Sequence, residues 1–137
     1  MGIFDKLSGS KDIQLTSKGA LALAAMTMIG IDGSIEEDEL ATLGRIERGD
    51  RNAFDQAFKV YKDKSISDCV QIVGETLDQN QKVTVIANLL DIAMADGMLA
   101  GAEKELLESY VDSFQISEGV IKDIIDVIAL KNDFSVF

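Results

Sequence analysis

The sequence predicts an all-α protein, and three observations carry that reading. Proline is absent from all 137 residues, so nothing in the chain is an obligatory helix breaker. Apolar residues recur at i, i+3, i+4 and i+7 in segment after segment. Ser, Asp or Asn stands between most of these segments, where a helix start wants a side-chain acceptor. The expected architecture is a compact bundle of about seven helices.

The segments follow in order. Ile3, Phe4 and Leu7 make a short amphipathic start before a polar stretch from Ser8 to Asp12. The first helix is expected from about Ser17 to Ile31, with Leu21, Ala24, Ala25 and Met28 on one face. A second, from about Glu37 to Glu47, turns Leu40 and Leu43 inward. Gly49-Asp50 ends it, and Asp50 is placed to cap the third helix, whose stripe is Phe54, Ala57, Phe58 and Tyr61.

Ser65 or Ser67 opens the fourth helix, with Ile66, Cys69, Val70 and Val73 along one side. The polar break Asp78-Gln79-Asn80 precedes the fifth, with Ile86, Leu89, Leu90 and Ala93 inward. The sixth runs from about Gly101 to Phe114 through Leu107, Tyr110 and Val111. Ser117 caps the seventh, where Ile121, Ile124, Ile125 and Ile128 form the cleanest stripe. The domain is expected over residues 15–131, between an N-terminal segment (1–14) and a loosely packed tail (132–137).

Composition excludes several functions. The net charge is −11, from 24 acids against 13 bases. Phosphate backbones need Lys and Arg to displace counterions, so nucleic acid is not the expected partner. An anionic membrane surface is disfavoured for the same reason. Histidine is absent, which removes His-based acid–base catalysis, a Ser-His-Asp triad and Cys/His zinc sites. The lone Cys69 lies on an apolar stripe and reads as a small buried hydrophobe. The longest nearly apolar run, Gly19 to Ile31, is too short to span a bilayer, and Asp5 and Asp12 spoil a signal-peptide start. A reducing, cytoplasmic setting is expected.

One motif occurs twice. Asp32-Gly33-Ser34-Ile35 followed by Glu39 recurs, 64 residues later, as Asp96-Gly97-Met98-Leu99 followed by Glu103. Both copies end an apolar run and open a second amphipathic segment. The arrangement reads as a duplicated helical hairpin with an internal pseudo-two-fold repeat, Asp-Gly at each corner and helices three and four as the insert. Glycine ends a helix cheaply, and Ile35 and Leu99 pin the corners to the core.

The glutamates lie in a first turn, where the helix dipole favours an anion, and capping alone accounts for them. The aspartates sit at helix carboxyl ends, where the dipole disfavours them. An Asx-type bond to the turn is one account; convergence of Asp and Glu on a cation is the other. An all-oxygen donor set selects a hard ion, Ca²⁺ or Mg²⁺ before Mn²⁺ or Zn²⁺. An EF-hand frame fails, because its first and third ligand positions would be Met28 and Gly30, or Ile92 and Met94.

On these two corners, together with the Met1-Gly2-Ile3-Phe4-Asp5-Lys6 start and the Phe114-Gln115-Ile116-Ser117 turn, the chain resembles the tellurite-resistance TerB-like family. The resemblance spans about residues 15 to 130. It implies a seven-helix fold with internal pseudo-symmetry and a cytoplasmic role in tellurite resistance and chemical stress. It further implies divalent metal at the acidic corners, with Asp32, Glu39, Asp96 and Glu103 as candidate ligands. Implied partners are other Ter-type proteins, membrane-embedded and calcium-binding. In the second corner Met98, Ala100 and Gly101 stand where the family is usually polar or acidic.

The expected function is therefore a non-enzymatic stress-response module. The alternative is a structural adaptor for protein–protein contact whose acidic corners are only helix caps.

Overall fold

The structure, a computed structural model, describes residues 15–31, 43–45, 49–94 and 101–137. Among these residues there are six α-helices and no strand. They are α1 (Ser17–Ile29), α2 (Arg51–Asp63), α3 (Ile66–Thr76), α4 (Gln79–Ala93), α5 (Ala102–Phe114) and α6 (Glu118–Lys131). A 3₁₀ turn, Phe134–Val136, follows, and residues 43–45 are also helical. The all-helical class is as the sequence predicts. Of the expected second helix only residues 43–45 are described, and there Leu43 is buried.

The starts are set by the expected chemistry. Asp50 Oδ1 accepts from the Ala53 N–H at 3.1 Å, and Ser65 Oγ from that of Asp68 at 3.1 Å. Ser117 Oγ accepts from the Val120 N–H at 3.3 Å. Asp78 and Gln81 close a reciprocal capping box: Asp78 Oδ1 accepts from the Gln81 N–H, and Gln81 Oε1 from the Asp78 N–H. Helix α5 ends at Gln115, which is left-handed at φ 56°, and Ile116 beyond it is buried.

Helix α1 is the hub. It packs against α2, α3, α4 and α5, and every residue from Ala22 to Ile29 is buried. The sequence predicts one inward face for this helix; the structure buries it on all sides. Ala20, Ala22, Ala24 and Ala25 make this possible, because small side chains let several helices approach one backbone.

Burial on all sides strands one polar side chain, and the structure satisfies it. The Thr27 hydroxyl donates to the Ala24 carbonyl at 2.7 Å. That uses its one proton, so Tyr110 on α5 is the donor in the 2.6 Å contact between the two hydroxyls. Both side chains are fully buried. Burial pushes the Tyr110 phenol well above its ordinary range.

Two stripes are rotated from expectation. In α2 the buried residues are Ala53, Ala57 and Val60. Phe54, Phe58 and Tyr61 instead form a stacked ladder at 6.1 and 6.3 Å between ring centroids, with Arg51 over Phe54 and Lys62 over Phe58. In α6 only Ile128 is fully buried, while Ile121, Ile124 and Ile125 are half-buried. This helix lies at the edge, packed mainly on α4 and tied to it by Lys131 Nζ and Asp91 Oδ1 at 3.1 Å.

The Thr27–Tyr110 pair yields a stability prediction. Thr27→Val is expected to cost about 1–3 kcal/mol because it strands the buried Tyr110 hydroxyl, and Tyr110→Phe less, because Thr27 keeps its bond to the Ala24 carbonyl. The double variant should cost less than the sum of the singles in urea denaturation. Alkaline pH provides a second measurement. Burial raises the folded values of both Tyr110 and Cys69, the latter from 9.0 to about 11, so their contribution is complete below the unfolded values and declines as pH rises through the folded ones. Stability should hold to about pH 9 and then fall, and Tyr110→Phe should make the fall shallower. Separately, Gln115→Gly removes a left-handed non-glycine residue and should raise stability by about 1 kcal/mol.

Candidate functional site

Three of the four predicted site residues, Asp32, Glu39 and Asp96, lie outside the described residues. What the structure gives is the framework on either side of them. Helix α1 closes at Gly30, with φ −90° and ψ 5°, its N–H donating to the Met26 carbonyl at 2.9 Å. Helix α4 closes at Met94, with φ −93° and ψ 1°, its N–H donating to the Leu90 carbonyl at 2.9 Å. These two closing residues stand at the same 64-residue offset as the motif. Each precedes its aspartate by two positions, so both corners are entered from helix ends of nearly identical backbone geometry.

Gly30 is there for space and not for a left-handed turn. A Cβ at this position would fall 2.0 Å from the Tyr61 hydroxyl and 3.0 Å from its ring carbon Cζ. The phenol of α2 therefore lies directly on the end of α1, beside the first corner. Sequence reading places Tyr61 on a core stripe and overlooks this contact. The available signal is a glycine at a helix end without the positive φ that usually explains one.

Glu103 is the described member of the predicted set. It is half-buried in the first turn of α5, which also holds Glu105. The residue before the helix is Gly101, at φ 62° and ψ −131°, and it makes no side-chain cap. A reciprocal capping box is thus impossible here, since Gly101 has no side chain to accept. The same conformation accounts for the glycine at this position: L residues with a side chain rarely adopt it. Glu103 stands where the positive end of α5 favours a carboxylate.

A cleft of about 570 Å³ opens between α1, α4 and Arg45. Its floor is Leu21, Leu77, Val85 and Ile92, and its rim carries Lys18, Arg45, Asn88 and Asp91. Lys18 lies 4.0 Å from Asp50, Asp91 is paired with Lys131, and the Asn88 amide donates to the Thr84 carbonyl at 2.9 Å. The rim is mixed in sign, unlike the all-carboxylate corners. Among the described residues no three Asp, Glu or Cys side chains cluster in a way that could hold a metal ion.

Cys69 is buried, as its stripe predicts. Burial, with Asp68 beside it, pushes its thiol up to about 11, a shift that Lys64 offsets only in part. At neutral pH it is a thiol, which is the wrong form for a nucleophile or a metal ligand.

The family model described as "Tellurite resistance protein TerB" matches residues 18–125, from the first turn of α1 into α6. The chain belongs to the TerB family. Both acidic corners fall inside the matched segment. No curated protein and no solved structure shows a significant match to the chain. Among the described residues of this TerB-family protein no helix is long and apolar enough to cross a membrane.

The close approach at the first corner is testable. Gly30→Ala drives a methyl group into Tyr61 and should destabilise the fold by about 1–3 kcal/mol. Adding Tyr61→Phe removes the nearest atom and should restore part of that loss in thermal or urea denaturation. Unchanged stability of Gly30→Ala would show that the contact is absent.

Proposed function

We propose that the chain serves tellurite resistance as a non-enzymatic module that holds a divalent cation at its acidic corners. The observation that carries the reading is the doubled Asp-Gly corner inside the segment matched by the TerB family. Asp32 and Glu39 would hold the ion at the first corner, and Asp96 and Glu103 at the second. The donor chemistry fits a hard cation: every candidate is a carboxylate and the chain has no histidine. Glu36, Glu37 and Asp38 add to the first corner with no base among them, so that corner is the stronger site. An ion there would neutralise carboxylates that the helix dipole otherwise disfavours. On this reading the protein works in the cytoplasm beside other Ter-type proteins, one of them membrane-embedded.

A second reading, an adaptor without metal, is favoured by one observation: large apolar side chains on α6 and the tail stand open to solvent. Titration separates the two. Ca²⁺, Mg²⁺ or Mn²⁺ is expected to shift the backbone amide signals of Gly33 and Gly97, the first more strongly. Asp32→Asn together with Asp96→Asn should abolish the shifts while leaving the far-UV signal of the helices unchanged. If millimolar cation moves neither glycine, the metal reading fails and the adaptor reading stands.

A further inference from the structure

Tyr61 stands where α2 meets the end of α1, and its neighbours hold it there. The ring is half-buried and stacks on Phe58, at 6.3 Å between centroids and 22° between planes. Its hydroxyl makes the closest approach to α1: a Cβ at Gly30 would collide with the oxygen first, with Cζ 3.0 Å away. The phenol thus aims its polar tip at the carboxyl end of a buried helix. A phenylalanine would stack on Phe58 equally well, so packing does not account for the hydroxyl.

The chain leaves that helix end toward the first corner. Ile31 packs against the core. Asp32 follows it, outside the described residues, and two peptide units keep the Asp32 Cα within about 7 Å of the Gly30 Cα. Its carboxylate is therefore in reach of the phenol. A carboxylate at a helix carboxyl end stands against the dipole and needs donors. The phenol is such a donor, because with an ordinary pKa of about 10 it keeps its proton at neutral pH. That proton also makes it a poor ligand for a cation.

We propose that the Tyr61 hydroxyl donates to the Asp32 carboxylate and orients it for the cation, as a positioning residue of the first corner. This role rests on the metal reading of that corner and deepens it. One carboxylate oxygen takes the phenol's proton and the other is left for the ion, the arrangement by which outer groups commonly fix a ligand. The role also separates the two corners. The positions 64 residues on are Met94, at the end of α4, and Ile125 on α6, and those two helices pack together as well. Neither side chain can donate a hydrogen bond. The second corner is the internal control.

Backbone amide titration of the full chain with Ca²⁺ reads both corners at once. Tyr61→Phe should weaken cation binding at Gly33 by about 10-fold or more and leave the response of Gly97 unchanged. The unchanged Gly97 response also shows that the variant is folded. A second measurement needs no cation. In urea denaturation of the cation-free chain, Tyr61→Phe and Asp32→Ala together should cost less than the sum of the two alone, because each removes the same hydrogen bond.

If Gly33 responds to Ca²⁺ and Tyr61→Phe leaves its affinity intact, the positioning role is overturned while the metal reading stands. Additive losses in the cation-free chain overturn it equally, because the hydrogen bond is then absent. If Ca²⁺ moves neither glycine of the unsubstituted chain, the metal reading fails and takes this role with it. Coupling in urea would then assign Tyr61 to holding the turn alone.

Discussion

Helix α1 is surrounded, and the rest of the bundle is arranged to permit that. A helix packed by four others needs small side chains where backbones approach closely and can carry no unsatisfied polar group. Its alanines meet the first condition, and the Thr27–Tyr110 contact meets the second. Because the Thr27 proton goes to the Ala24 carbonyl, the phenol must point its own proton at Thr27. That fixes the face α5 presents to α1. Glu103 lies two turns upstream of Tyr110 on the same helix.

Much of this was legible in the sequence. The starts at Asp50, Ser65 and Ser117 follow from side-chain acceptors preceding apolar periodicity, and the structure uses each of them. Buried stripes at Cys69, Val70 and Val73, and at Ile86, Leu89, Leu90 and Ala93, appear as spaced. Periodicity misleads where its premise of one apolar face fails. Helix α1 has no solvent side, so its pattern cannot rank faces. Phe58 lies on the apolar stripe of α2 yet is exposed, because Phe54 and Tyr61 stack on it and Lys62 covers it, an arrangement that competes with burial. The isoleucines of α6 are spaced for a core they only partly reach, since α6 packs chiefly on one neighbour.

The site was legible as composition and less so as geometry. Two copies of one motif name the carboxylates, but spacing alone cannot distinguish a cap from a ligand. Glu103 itself stands in the first turn of α5, where the positive helix end favours a carboxylate under either account. The Tyr61 contact at Gly30 shows the limit from the other side. It pairs residues from different helices, and no local pattern records that a phenol needs the space a methyl group would fill. Gly30 and Met94 close their helices with similar backbone angles, but Asn132 closes α6 in the same way, so the repeat of letters is not thereby a repeat of structure.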